Sequence, residues 1–200
     1  MNNSSIIVKK LIEKNILDEA NKDIYEYGSF IIFNYFVLYL TAYIVCRVYL
    51  LNYDLLYFLS IILLFRSYTG GFHFKNYYYC LFTSIMELFF IAFLLKNLNL
   101  NTNILLVLII IFSIFIFLFA PVDTINRRLD VNERRKNKKK VLIILTCGLL
   151  LSLVFFIMCY NDFLLVYFLS LSHCLILLIF GIIDNKIRMW FFENSYLWWQ

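Results

Sequence analysis

Long apolar runs separated by short polar segments make up most of this 200-residue chain. The runs span residues 29–51, 55–65, 77–95, 103–120, 141–160 and 163–183. The first is long enough to cross a hydrocarbon core of about 30 Å at a helical rise of about 1.5 Å per residue. The second is short, so it spans only if Tyr53 and its neighbours complete it, and otherwise it is re-entrant. The pattern predicts an all-α, polytopic membrane protein with about six transmembrane or re-entrant helices.

The two ends of the chain have different patterns. In residues 4–26 apolar positions recur every three or four residues among charged ones, which predicts an amphipathic helix on the membrane surface or packed on the loops beneath it. Residues 184–200 combine three tryptophans with Lys186 and Arg188, as interfacial anchors do. We expect one integral membrane domain over 1–200, with an interfacial segment at 1–28, spans at 29–183 and an interfacial tail at 184–200.

Composition supports the membrane assignment. Hydrophobic residues make up 63% of the chain and charged residues only 16%, whereas soluble domains carry roughly 25% charged residues. No room is left for a separate soluble domain. The five cysteines are scattered, without a CxxC pair or a Cys/His cluster of zinc spacing. We therefore expect neither a disulfide framework nor a metal site, and no cofactor.

The loop at residues 122–140 carries eight basic and three acidic residues. By the positive-inside rule this loop is cytoplasmic. Counting spans outward from it predicts that both termini and the loop at 66–76 are cytoplasmic as well. A basic segment between two spans indicates affinity for anionic lipid rather than for nucleic acid. The alternative is docking of an acidic peptide segment, for which the candidate residues are Arg127, Arg128, Arg134, Arg135 and Lys136.

The segment from Arg66 to Cys80 concentrates reactive side chains in an otherwise apolar chain. Cys80 is a candidate nucleophile, because a thiolate is stabilised by a nearby base, a cation or a helix amino terminus. His73, Arg66 and Lys75 supply the first two, and a helix start near residue 77 supplies the third. On an unbroken helix His73 and Cys80 would share a face but lie about 10 Å apart, too far for a hydrogen bond. Either the chain bends between them or substrate occupies the gap.

Four neighbours of this pair are candidate supporting residues. Gly70 and Gly71 permit an unusual backbone that could bring a substrate carbonyl close to main-chain donors, or they form a plain turn between spans. Ser84 and Glu87 follow the candidate nucleophile by four and seven residues, on the same face of a helix. A carboxylate inside a span indicates either a functional site or a structural pair with another span.

The order Arg66, Gly70-Gly71, His73 and Cys80 resembles the signature of the accessory gene regulator B family (AgrB-like). These are membrane cysteine endopeptidases that process the precursor of a bacterial autoinducing peptide. The segment before the first span, the exit from the fourth span through Ala-Pro-Val-Asp-Thr, and the basic loop also agree with that family, so the resemblance covers nearly the whole chain. Phe74 is a departure, because a small residue is expected after the histidine. It affects the shape of the pocket more than the chemistry.

The resemblance implies a specific reaction. Cys80 would attack a carbonyl near the carboxyl end of a short precursor, with His73 as general base and then as acid for the leaving amine, and a thioester to Cys80 would result. The precursor's own cysteine would then take the acyl group and close a thiolactone ring. Arg66 would be an electrostatic or structural support. Precursors in this family carry an amphipathic leader and an acidic tail, and the amino-terminal helix and the basic loop would be their docking surfaces.

The resemblance further implies a multi-pass protein of the bacterial cell membrane with its active site on the cytoplasmic side. A homodimer is an open alternative to a monomer, since two chains could complete the dyad. Two other functions compete with the peptidase. A non-enzymatic peptide exporter or chaperone would place polar residues at midplane depth in several spans, and only Asn34, Glu87 and His173 approach that description. A lipid-modifying enzyme would need clustered carboxylates such as DxxD pairs, which the cytoplasmic segments lack.

Overall fold

A computed structural model describes residues 2–14, 16–72, 74, 76–123 and 129–196, with the side chains of all but 2–7, 77 and 189–196. A short 3₁₀ turn, Glu19–Asn21, precedes the second helix. The α-helices of the described chain are α1 (Asn2–Glu13), α2 (Lys22–Tyr49), α3 (Asp54–Thr69), α4 (Tyr77–Asn97), α5 (Thr102–Phe119), α6 (Val131–Ile157) and α7 (Asn161–Tyr196). The predicted all-α class is confirmed.

Five of the described helices, α2 and α4 to α7, are long and apolar enough to cross a membrane by length and composition. The remaining candidate, α3, has 16 residues and therefore a length of only about 24 Å. It nevertheless runs between the same two faces as its neighbours. At its start Asp54 lines a cavity with Leu95 and Asp162, whereas at its end Thr69 O accepts a hydrogen bond from Val122 N (2.8 Å). The predicted polytopic membrane protein with about six transmembrane or re-entrant helices is confirmed.

The helix ends gather at two faces of the bundle. The first, which we name the Cys80 face, holds the end of α3, the start of α4, the segment 120–123 and the start of α6. There, Asn185 Nδ2 of α7 donates a hydrogen bond to Asp123 O (3.0 Å). The opposite face holds the turns that follow α2, α4 and α6, and there Thr102 Oγ1 donates to Asn161 Oδ1 (2.5 Å). Polar contacts between distant segments thus join the chain at each face.

The central helix of the bundle is α7. In its most apolar 18-residue stretch 56% of the residues are buried, against 17–22% in the other four long helices. It packs mainly on α3 and α5. Leu164, Leu171 and Leu178 are fully buried, and their seven-residue spacing keeps them on one side of the helix. The outer helices instead expose many large apolar side chains, as helices in contact with lipid do.

The amphipathic segment predicted at 4–26 is divided between two helices, so the prediction of one helix there was wrong. The physical reason is a local cap: the side chain of Asp18 accepts a hydrogen bond from Ala20 N (3.2 Å) and starts the 3₁₀ turn. The first helix, α1, packs on α2, and its Val8 is buried. The second, α2, continues from this turn into the first span without a break.

The basic segment at 122–140 is helical in its second half, so its prediction as a loop was wrong there. The sixth helix, α6, begins at Val131, well before the apolar run that predicted it. A capping box forms its start, in which Asp130 caps the first turn and Glu133 Oε2 accepts a hydrogen bond from Asp130 N (3.3 Å). An apolar pattern does not show such an extension, because the added turns carry charged side chains.

The last helix extends beyond its predicted run. α7 has 36 residues and continues to Tyr196. Arg188 Nε donates to Asp184 Oδ2 (3.0 Å), a pair one helical turn apart that supports these added turns. The interfacial role of residues 184–200 stays a prediction, and the side chains of the three tryptophans lie outside the described residues.

Replacing Asp130 with alanine should loosen the start of α6. We expect the free energy of unfolding to fall by about 1 kcal/mol, because a lost N-cap costs about that much. Backbone amides in the first turn should exchange hydrogen faster, as measured by mass spectrometry on the detergent-solubilised protein. The matched control is Asn132→Ala, which removes an exposed side chain that makes neither contact of the capping box. Unchanged exchange in Asp130→Ala would contradict the capping role.

Candidate active site

A glycine pair ends α3 in a conformation that other residues rarely adopt. Gly70 has a φ of +70° and Gly71 a φ of +115°. A Cβ atom on Gly70 would overlap the Val122 carbonyl oxygen. The two backbones form an isolated parallel bridge, in which Val122 N donates to Thr69 O (2.8 Å). Gly70 therefore joins the end of α3 to the segment that follows α5.

The loop after the glycine pair lies against α7. Phe72 N donates a hydrogen bond to Leu177 O (3.0 Å), and the Phe72 ring lies 6.4 Å from the Phe180 ring between centroids. A Cβ atom on Gly181 would lie 3.0 Å from Gly71 Cα, so the absence of side chains allows the two backbones to approach this closely. In this structure the space beside the two glycines is occupied by backbone of the protein itself. Access of a substrate carbonyl to the glycine amides stays a prediction.

Arg66 holds the same loop from α3. Its Nη2 donates to Phe72 O (3.2 Å), so Phe72 is bound through both its N–H and its C=O. The Arg66 side chain is half-buried and also lines a cavity next to α4. A guanidinium has five N–H donors in a planar fork, so one side chain can bind the loop and face the cavity together.

Cys80 lies in the first turn of α4. Asn76 caps this helix, because its side-chain oxygen accepts a hydrogen bond from Tyr78 N (3.0 Å). The Asn76 carbonyl accepts a second one from Cys80 N (3.3 Å). The sequence thus sets the helix start through a polar cap, and Cys80 is placed half-buried at the amino end of the helix.

His73 and Lys75 lie outside the described residues. The described residues around them, Phe72, Phe74 and Asn76, are not helical, and the rings of the two phenylalanines pack edge to face with centroids 5.0 Å apart. The described residues between the end of α3 and the start of α4 are therefore not helical, and the predicted pairing of His73 with Cys80 lies outside the described residues.

A cavity of about 500 Å³ lies between α2, α3 and α4 beside Cys80. Three predicted site residues, Cys80, Arg66 and Ser84, line it together with Ser67 and Asn34. The other lining residues are Tyr27, Ile31, Tyr35, Leu38, Leu63 and Leu81. Ligand sites are typically of this size and mostly apolar, with a few convergent polar groups. This cavity is therefore the candidate site.

The α2 wall of the cavity was not predicted. Tyr27, Ile31, Asn34 and Leu38 follow one another at spacings of four, three and four residues, which places them on one face of the helix. This spacing was visible in the sequence. It could have identified the face, but it does not name the helix that this face meets.

Glu87 is not among the residues that line the cavity. Its Oε1 contacts Nδ1 of His173 on α7, and the His173 ring packs edge-on against Phe58 of α3 with centroids 6.0 Å apart. The side chains of Glu87 and His173 are 27% and 14% exposed. Glu87 therefore pairs with another span, one of the two alternatives for a carboxylate at this position.

Asp123 connects several segments at the Cys80 face, a role that sequence reasoning missed. Its Oδ1 accepts hydrogen bonds from Arg134 Nη2 (2.9 Å) and Leu129 N (3.4 Å), and its carbonyl accepts one from Asn185 on α7 (3.0 Å). Arg134 Nη1 also donates to Pro121 O (3.3 Å). The signal in the sequence is a lone carboxylate between the end of an apolar run and a strongly basic segment.

The predicted docking residues separate into two groups. Arg134 is bound to Asp123, whereas Arg135 and Lys136 are exposed at the start of α6. Arg127 and Arg128 lie outside the described residues. Binding of an acidic partner by Arg135 and Lys136 stays a prediction.

All five cysteines are free thiols. Cys174 is buried on α7, and its Sγ lies 3.7 Å from Thr69 Oγ1, whereas Cys80 lines the cavity. Among the described residues, no group of three or more His, Cys, Asp or Glu side chains is placed to hold a metal ion.

Comparisons with known proteins agree on one family. The family model described as Accessory gene regulator B (AgrB) matches residues 4–189, a range that contains every candidate site residue. An AgrB-like protein of Clostridium perfringens strain 13 (type A) is 29% identical over 169 residues, which cover 80% of this chain and 79% of the relative. An AgrB-like protein of Clostridium perfringens strain SM101 (type A) is 29% identical over 168 residues, covering 80% and 78%. No solved structure matches the chain.

Replacing Gly70 with alanine should displace the end of α3. We expect the free energy of unfolding to fall by about 1–3 kcal/mol, because a side chain at this φ is strained and its Cβ meets backbone. Unfolding in mixed detergent micelles measures the change. The control is Gly28→Ala, where nothing lies within 4 Å of the new Cβ, so stability should stay equal or rise slightly. Equal losses in the two variants would contradict the close approach to Val122.

Proposed function

Because the chain belongs to the accessory gene regulator B family, we propose that it is a membrane cysteine endopeptidase with Cys80 as nucleophile and His73 as general base. Membership in this family implies processing of an autoinducing-peptide precursor. Our proposal adds the reacting residues, a scissile bond near the carboxyl end of the precursor, and a thioester intermediate on Cys80.

The shared cavity is the observation that carries this proposal. Cys80 and Arg66 come from different helices and line one cavity at the Cys80 face, with the hydroxyl of Ser84 one turn beyond the thiol. Cys80 also lies in the first turn of α4, the end at which a helix dipole is positive. A thiol at a helix start that shares a cavity with a guanidinium suits nucleophilic attack on a bound peptide.

The proposed first step transfers an acyl group to sulfur. The Cys80 Sγ–H proton moves to His73 as Sγ bonds to the scissile carbonyl carbon, and the carbonyl oxygen becomes an oxyanion. The intermediate then collapses, the C–N bond breaks, and His73 returns the proton to the leaving amine. The acidic tail departs with that amine, and the remainder of the precursor stays on Cys80 as a thioester. Arg66 supports the step by holding the loop that leads to His73 and by placing positive charge at the cavity.

The second step is proposed to be transfer rather than hydrolysis. The thiol of the precursor's internal cysteine attacks the thioester carbonyl, the bond to Cys80 breaks, and the thiolactone ring closes while Cys80 regains a proton. Leu38, Leu63 and Leu81 supply apolar walls around the thiol. We propose that the site excludes bulk water during the reaction, which favours attack by the tethered thiol over attack by water.

Docking of the precursor is proposed at two surfaces. Its acidic tail would meet the exposed cations Arg135 and Lys136 at the start of α6, next to the Cys80 face. Its amphipathic leader would lie along the amino-terminal helix α1 at the membrane surface. Arg134 contributes less to docking, because Asp123 already binds it. The remaining candidates, Arg127 and Arg128, extend the same basic segment in sequence.

Cys80→Ala and His73→Ala should each abolish cleavage of the precursor while the protein still inserts into the membrane. The reason is that the first removes the atom that bonds to the substrate and the second removes the proton acceptor. Mass spectrometry of a precursor peptide incubated with membranes measures loss of the tail and ring closure. The matched control is Cys159→Ala, which removes an exposed thiol in the turn after α6 and should leave cleavage unchanged.

Full cleavage by Cys80→Ala would overturn the peptidase proposal. Peptide transport or binding that persists after thiol alkylation, without cleavage, would instead identify an exporter or chaperone. Co-expression of the Cys80 and His73 variants separates two versions of the proposal, since cleavage returns only if two chains complete one dyad in a homodimer.

We also propose that the Cys80 face lies in the cytoplasm of a bacterial cell, with both termini on that side. The exposed cations at the start of α6 support this orientation, because Lys and Arg are enriched in the cytoplasmic segments of membrane proteins. Lys140 Nζ lies 4.6 Å from the centre of the Tyr68 ring and Lys138 Nζ 4.9 Å from that of Phe117, so further cations of this segment pack on aromatic side chains near the same face.

Labelling of intact cells with a membrane-impermeant maleimide tests the orientation. In a variant whose other four cysteines are alanine, exposed Cys159 in the turn after α6 should react from outside. A cysteine placed at Asn132 in a cysteine-free background should react only after the membrane is permeabilised. The reverse pattern would show the opposite orientation.

A further inference from the structure

The helix that carries the nucleophile has few contacts with the centre of the bundle. α4 packs mainly on α2 and touches α3 and α7 at few places. Its polar link to α7 is the pair formed by Glu87 and His173. The His173 ring in turn packs against Phe58, which is fully buried on α3. This pair of side chains therefore connects α4 to α7 and, through the His173 ring, to α3.

The central helix holds the reactive segment on both sides of Cys80. Before the nucleophile, Phe72 N is bound to Leu177 O, one turn after His173 on α7. After it, Glu87 is bound to His173 itself, about 10 Å along α4 from Cys80. The nucleophile thus lies between two attachments to the same rigid helix.

The position of the Glu87–His173 pair within the membrane has a cost in folding free energy. Glu87 lies near the middle of α4 (Tyr77–Asn97), at the depth where a span crosses hydrocarbon. A carboxylate and an imidazole there lose hydration, and two apolar side chains of similar volume are usually at least as stable. What an apolar contact does not supply is direction, because a hydrogen bond between two defined atoms fixes how far a helix is rotated and shifted.

We propose that Glu87 and His173 are positioning residues for the reaction. Their pair fixes the rotation and the axial position of α4 on α7, and through them the place of Cys80 Sγ relative to Arg66 across the cavity. Neither residue lines the cavity, so both act through α4 rather than on the substrate. This inference rests on the proposed function, because it concerns the geometry of that site.

The test compares apolar replacement of one partner with replacement of both. Glu87→Leu alone leaves His173 without its partner in an apolar setting and should lower the thermal midpoint in detergent. Glu87→Leu with His173→Leu removes both polar groups and should restore that midpoint. If the pair positions Cys80, the double variant should still lose about 10- to 100-fold in kcat, since a displacement of about 1 Å can cost that much. KM should change by less than about threefold.

Two further variants sharpen the result. Exchanging the partners, Glu87→His with His173→Glu, rebuilds a hydrogen bond between the same helices and should recover most of the lost kcat. Thr102→Val removes another hydrogen bond between helices, the one from α5 to Asn161 on α7 at the opposite face, and should leave kcat unchanged. All reactions use the full-length protein in membranes with a synthetic precursor peptide.

The outcomes separate this inference from the proposed function. Wild-type kcat in the stable double leucine variant would overturn the positioning role, and so would losses of kcat that follow the thermal midpoint in every variant. The proposed function is judged on Cys80→Ala in the same assay. If that variant cleaves normally the peptidase itself is refuted, whereas if it is inactive the pair is judged on its own.

Discussion

The approach of the α3–α4 loop to α7 is the contact on which the rest of the site depends. Phe72 N binds the Leu177 carbonyl, and this distance is reached only because Gly71 and Gly181 leave the space between the two backbones free of side chains. Arg66 closes the loop from the other side through the Phe72 carbonyl. Hydrogen bonds at both its N–H and its C=O thus anchor Phe72 to α7 and α3.

The apolar surroundings explain why so few polar groups carry so many contacts. Within lipid an unsatisfied backbone or side-chain group costs several kcal/mol, so polar residues persist there only in pairs or in structural roles. Asp123 binds Arg134 and the side chain of Asn185, and Glu87 binds His173. The contacts to Asn185 and His173 link segments that are distant in the sequence. A few directional hydrogen bonds and ion pairs therefore add to the non-directional apolar packing that holds the helices together.

Much of the fold could be predicted from the sequence, because an apolar run of spanning length has few structures open to it in a membrane. Helix ends were harder: the start of α6 depends on a capping box at Asp130 and Glu133 rather than on hydrophobicity. At the site, the thiol at a helix start followed from residue order. The α2 wall with Tyr27 and Asn34 did not, because a helical period shows that a face exists without naming its partner. Contacts between distant segments belong to the tertiary structure, and a local sequence pattern does not determine them.

The length difference between α3 and α7 sets the depth of the site. α3 ends at Thr69 after only 16 residues, and the loop that follows meets α7 at Leu177 and Gly181. α7 continues from there to Tyr196, about 22 Å further at a helical rise of about 1.5 Å per residue. The loop and the start of α4 are therefore recessed relative to the end of the central helix. The short α3 thus determines where along the central helix the start of α4, with Cys80 in its first turn, lies.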